Sequence, residues 1–125
     1  MVFAFDATAV KAEILSKIAH EFIKKDVVNI YTDDAELLKT KGLIASLNYS
    51  SFEDADIVFV TKNSAKVSIN SKKHIFTTSY SAFKKYPHII GVFFWQKGRP
   101  NIIIREKIIK KQNIILSEQF KRFLE

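Results

Sequence analysis

The sequence predicts one α/β domain, with a mostly parallel sheet that ends in a C-terminal antiparallel hairpin. Three observations carry this. Amphipathic helical stretches alternate with short apolar runs, the pattern of strand and helix units laid against each other. The run Ala55 to Thr61 (ADIVFVT) is apolar almost throughout, as a central strand covered on both faces must be. Near the C-terminus, Ile89 to Gln96 and Asn101 to Arg105 flank Lys97-Gly98-Arg99-Pro100, which reads as a hairpin turn. A length of 125 residues suits a single domain spanning 1–125, and no repeat, linker or low-complexity tract divides it.

Each element has its own local reason. Asp6 is placed to cap a helix from Ala7 to about Lys25, along which Val10, Ile14, Leu15, Ile18 and Phe22 recur at three- and four-residue steps. Val27 to Tyr31 (VVNIY) reads as a short buried strand. Asp33-Asp34-Ala35-Glu36 then offers an acidic cap, with Asp33 read as the capping residue, to a second helix that Gly42 ends or interrupts. After Leu47-Asn48-Tyr49, Ser50 and Glu53 repeat the capping-box spacing ahead of the ADIVFVT strand. His74 to Thr78 (HIFTT) is the next β-rich run, followed by a helix from about Ser81 to Tyr86 that Pro87 closes. Pro100 cannot donate to a ladder and belongs at a strand start or a sheet edge. Glu106 to Lys111 reads as helix, and Ser117 caps a last helix through Leu124. Helices on both faces of such a sheet make a three-layer, Rossmann-like arrangement.

Composition removes several function classes. The longest apolar run, Ile89 to Trp95, has seven residues, against roughly 18 for a transmembrane helix. Cysteine is absent, which excludes disulfides, thiol catalysis and cysteine zinc sites. Charge is unevenly placed: residues 1–61 carry six Lys/Arg and ten Asp/Glu, a balance of −4, whereas residues 62–125 carry fourteen and three, a balance of +11. A cationic half serves nucleic acid, anionic headgroups, an acidic partner protein or solubility alone.

No catalytic motif is complete. Asp33-Asp34 after a strand, with Thr77 or Thr78 after a later one, resembles the acidic magnesium pocket of response-regulator receiver domains. A receiver places its phospho-accepting Asp where ADIVFVT ends, however, and Thr61-Lys62 stands there. Ser81-Ala82-Phe83-Lys84 matches SxxK without its companion elements, so Ser81 is read as a helix cap. His20, His74 and His88 are scattered and provide no metal frame. Three isolated glycines form neither phosphate-binding loop, so no cofactor or metal site is expected. Phe93, Phe94, Trp95 and Arg99 have the residue types of a single-strand binder, but alternate aromatics in a strand are more often core, and nucleic acid is the lesser expectation.

The element order, and above all the segment GVFFWQKGRPNIIIR, resembles the YfiR-like family of bacterial periplasmic domains. The opening helix has that family's flavour in Lys11-Ala12, Ile18-Ala19 and Phe22, and Tyr31-Thr32-Asp33-Asp34 resembles its acidic loop. Gly91, Phe94, Lys97, Arg99, Ile102 and Ile104, then Ile114 to Ser117, Phe120, Phe123 and Leu124, follow its C-terminal frame. The family's alanine-glycine step before the last helix is replaced by Lys111-Gln112-Asn113, and its redox control through cysteines has no counterpart here. The resemblance implies a non-enzymatic regulator or sensor that docks on the extracytoplasmic part of a membrane signalling protein, of diguanylate cyclase or histidine kinase type. It also implies a mature periplasmic segment whose signal peptide is gone, with Met1 a start residue set before Val2-Phe3-Ala4-Phe5. Small-ligand sensing is a further class, and both monomer and homodimer stay open. The expected contact surface is the exposed turn: Trp95 as apolar anchor, with Lys97 and Arg99 engaging acidic groups, since Trp and Arg are enriched at interface hot spots.

Overall fold

The computed structural model describes residues 7–66 and 71–125. The expected cap Asp6 lies outside them. The chain forms α1 (Ala7–Phe22), β1 (Val28–Thr32), α2 (Ala35–Leu38), β2 (Leu47–Tyr49), β3 (Ile57–Val60), β4 (His74–Thr77), α3 (Tyr80–Lys85), β5 (Gly91–Gln96), β6 (Arg99–Ile104), α4 (Glu106–Lys111) and α5 (Glu118–Lys121). One six-stranded sheet runs in the order β2-β1-β3-β4-β5-β6. Its first five strands are parallel and β6 is antiparallel to β5. The α/β class, the parallel sheet and the terminal hairpin are therefore as the sequence predicts.

The helices split between the two faces because each strand offers apolar side chains to both. On one face Leu15, Ile18, Ala19 and Phe22 of α1 meet Ile30, Phe59, Phe76, Phe93 and Ile104 of the sheet, together with Ile109 of α4 and Phe120 of α5. On the other, Val58, Val60, Ile75 and Val92 pack with Ala82 and Phe83 of α3 and with Ala55 and Ala65 of the connecting loops. All four residues of β3 are buried, which explains why its sequence shows no polar alternation. At Gly91 the sheet leaves no room for a side chain: a Cβ would lie 2.6 Å from the Phe76 ring and 2.9 Å from the Ile103 carbonyl.

The hairpin turn is tighter than the sequence reading placed it. Gln96 pairs with Arg99, so only Lys97 and Gly98 form the loop. Both have positive φ, 53° and 73°, as a type I′ turn demands. Pro100 sits opposite Trp95 on the edge strand, where its missing N–H costs no ladder bond. Past β6, Arg105 acts as a staple: its guanidinium donates to the Ile89 and Phe83 carbonyls and lies 4.0 Å from the Phe83 ring centroid.

Several local expectations need correction. Asp34, not Asp33, caps α2, accepting from the backbone N–H of Glu36 and Leu37. Helix α2 stops at Leu38, ahead of Gly42. Ser79, not Ser81, caps α3, and its Oγ accepts from Ala82 N–H at 3.2 Å, while Ser81 lies inside the helix. Ser50 and Glu53 open no helix: the segment is a turn in which Ser51 Oγ accepts from Asp54 N–H. Helix α1 ends at Phe22 rather than Lys25, and β2, whose three residues carry too little pattern to read, pairs with β1 at the sheet edge. Ser117 precedes α5 as expected but makes no side-chain cap, and α5 ends at Lys121 rather than Leu124. Its N–H and Oγ both donate instead to the Glu21 carboxylate of α1.

Candidate functional site

In an open parallel sheet the natural ligand crevice lies at the carboxyl ends of the strands, where the winding reverses. Here that point falls between β1 and β3, because β1 leads outward to β2 and the chain then returns to β3. Asp33 stands there, just after β1. Its carboxylate accepts from Thr61 N–H (2.9 Å), Thr61 Oγ1 (2.8 Å) and Ser64 Oγ (2.6 Å). Burial alone would push its pKa up. The bonds from Ser64 and Thr61 outweigh burial and hold the carboxyl below the usual carboxylate value. The carboxylate thus ties the loop after β1 to the loop after β3. The residue that follows β3 in place of a phospho-acceptor, Thr61, is itself a donor in that clasp. Nothing in the local sequence reveals it, because partners 28 and 31 residues away give no periodic signal.

Beside this clasp, a shallow cleft opens between α1, α2 and the turn-proximal half of β5, lined by Lys11, Asp34, Leu37, Thr78 and Trp95. Thr77 is fully buried and donates its hydroxyl proton to the Val60 carbonyl, so it supports the strand ends rather than facing the cleft. The Lys11 ammonium lies 5.3 Å from the Trp95 ring centroid, within cation–π range. Trp95 is half-buried against the α1-side core.

The hairpin does not gather the three expected contact residues on one face. Side chains alternate across a strand, so Phe93 and Trp95 share the α1 side with Pro100 and Ile102, opposite them in β6. Gln96, Arg99 and Asn101 share the other side and line a separate shallow depression with Lys97. Lys97 occupies the tip. Trp95 and Arg99 therefore flank the hairpin from opposite faces. Lys97 and Arg99 are exposed, and neither makes an ion pair with any described residue.

The remaining candidates stay apart. His20 meets Ser46, His74 lies against the Phe22 ring at 5.7 Å, and His88 faces Tyr86 at 6.0 Å. Among the described residues Ser81 Oγ meets Ser79 Oγ. Among the described residues no three potential metal ligands converge, and no helix is long and apolar enough to cross a membrane. No family model, curated protein or solved structure matches the chain.

Proposed function

We propose that the chain is a non-enzymatic regulatory domain of YfiR-like type, periplasmic, that acts by docking on the extracytoplasmic part of a membrane signalling protein. The observation that carries the docking reading is the hairpin. A two-residue turn held by six cross-strand pairs projects Lys97 and Arg99, both without ionic partners among the described residues, from a rigid base. The partner class, a diguanylate cyclase or histidine kinase, comes from the resemblance of the sequence. Because Trp95 and Arg99 lie on opposite faces, the partner must clasp the hairpin over its tip and bring acidic groups to Lys97 and Arg99. A signal that alters this docking would shift the partner between its states by the difference in affinity for them.

Two observations support this over catalysis and over nucleic acid. The Asp33 carboxylate is already engaged by three donors, and Thr61 stands where a phosphoryl acceptor would be needed. A stacking platform needs exposed rings, whereas Phe93 is 3% exposed and Phe94 and Trp95 are half-buried. The test is binding of the chain to purified extracytoplasmic domains of membrane diguanylate cyclases and histidine kinases from the same source. Arg99→Glu is expected to abolish the interaction with the melting temperature nearly unchanged, because an exposed turn residue contributes little to stability. Binding that survives Arg99→Glu would remove this surface. Failure to bind any such domain, together with micromolar affinity for single-stranded oligonucleotides in about 150 mM salt, would favour the nucleic-acid reading.

A further inference from the structure

The free edge of the sheet lies beside a groove that the docking reading does not use. In the β5–β6 ladder the Ile104 N–H donates outward to the Phe123 carbonyl, and the Ile104 carbonyl accepts outward from Glu125 N–H. Leu124 thereby forms a parallel bridge with Ile104, and the C-terminal residues cover that end of the edge. Backbone direction alternates along an antiparallel strand, so the N–H and C=O of Ile102 and the C=O of Pro100 point outward as well. No described residue covers them.

Below that uncovered stretch, α1, β6 and α5 enclose a groove with an apolar floor of Ile14, Ile102, Phe120 and Phe123, and Pro100 at its upper lip. Among the described residues its charged lining consists of Lys17 and Arg122. Both are exposed, neither makes an ion pair with a described residue, and among the described residues no carboxylate lines the groove. An apolar floor, two cations without an ion-pair partner among the described residues, Arg122 lying 4.9 Å over the Phe123 ring, and a row of backbone groups that no described residue pairs together fit one kind of occupant. We propose that this edge binds an extended, acidic segment of another protein, which pairs its backbone with Ile102 and Pro100. One apolar side chain would lie on the groove floor, and carboxylates would reach Lys17 and Arg122. A lipid-like carboxylate would use the floor and the cations but leave the outward carbonyls of Pro100 and Ile102 unpaired. The charge pattern selects against a basic peptide. Pro100 limits the pairing to a short stretch, which is consistent with an edge protected against indiscriminate strand addition.

This site is independent of the hairpin tip, and its test uses a different probe. Isotope-labelled full-length chain is titrated with acetylated hexapeptides that alternate acidic and β-branched residues, with otherwise identical peptides carrying Lys for each acid, and separately with decanoate. The acidic peptides are expected to shift the Ile102 amide and the Ile14 methyl resonances saturably, and the lysine peptides to leave them unmoved. Arg122→Glu and Lys17→Glu, each checked for an unchanged circular dichroism melt, should each weaken the acidic peptides by about tenfold, the scale of one charge-assisted bond. The proposal is overturned if no acidic peptide moves Ile102, if the lysine peptides bind equally, or if decanoate alone fills the groove.

Discussion

Gly91 and Asp33 carry structural demands that their neighbours in sequence do not announce. At Gly91 an added methyl meets the Phe76 ring edge and the Ile103 carbonyl together, and the carbonyl belongs to the paired strand and cannot step aside. Gly91→Ala should therefore cost about 1–3 kcal/mol, the range for overpacking a well-filled interior. Urea denaturation of the two proteins measures it. Asp33 works through charge-assisted hydrogen bonds, and its carboxyl is held below its ordinary value despite the opposing effect of burial. A carboxyl with a depressed folded pKa contributes stability above its unfolded value of about 3.9, and that contribution is lost as the pH falls through the folded value. Asp33→Ala should cost about 1–3 kcal/mol at pH 7, because Thr61 N–H loses its acceptor. The loss should begin to shrink only as the pH falls below about 4, and should keep shrinking as the pH falls through the depressed folded value. A difference that stays constant from pH 7 to pH 3 would contradict the role assigned to the ionised form.

At the scale of elements, the legible parts of the fold were those whose signal is local and repeated. Helix α4 falls on the boundaries the sequence indicates, and β3, β4 and the hairpin strands lie within two residues of theirs. The misread caps share one cause. Asp33 and Asp34, or Ser79 and Ser81, are near-equivalent as residue types, and which of them caps is decided by where the preceding strand ends. The clasp, the Arg105 staple and the groove depend on residues far apart in the chain, so no spacing rule could expose them. Trp95 and Arg99 were legible as residue types but not as sides of a ribbon, because the two-residue loop sets which residues face which way. That loop gives its own prediction. Lys97 holds a left-handed conformation that costs a non-glycine residue about 1–2 kcal/mol, and asparagine tolerates it better. Lys97→Asn should thus raise stability by up to about 1 kcal/mol, by completing an Asn-Gly turn, while removing a charge from the tip. A lowered melting temperature would mean that the lysine side chain contributes packing at the tip.

For the molecule as a whole, acid sensitivity should extend above the carboxylate range. Burial pushes the His74 imidazole below its ordinary value, and His88 is shifted the same way, again chiefly by burial. A histidine with a depressed folded pKa favours the folded state fully above its unfolded value of about 6.5, and that preference is lost as the pH falls through the folded value. Stability should therefore decline between about pH 7 and pH 5 while the carboxylates remain ionised, and His74→Gln should flatten that slope. Guanidinium titrations at half-unit pH steps decide it, and an unchanged slope in the variant would shift the cause to His88 or to the net charge of +7. The bonds between Glu21 and Ser117 join residues 96 positions apart. They bear on how the protein is made, since the ribosome delivers α1 first and its covering partners Ile104, Ile109 and Phe120 last. At about 5–20 residues per second, some 5–20 s separate the synthesis of α1 from that of Phe120, and early in that interval α1 has only strand residues such as Ile30, Phe59 and Phe76 to pack against. Glu21 and the apolar stripe of α1 therefore gain their last native contacts only when the segment carrying Ser117 and Phe120 has been synthesised.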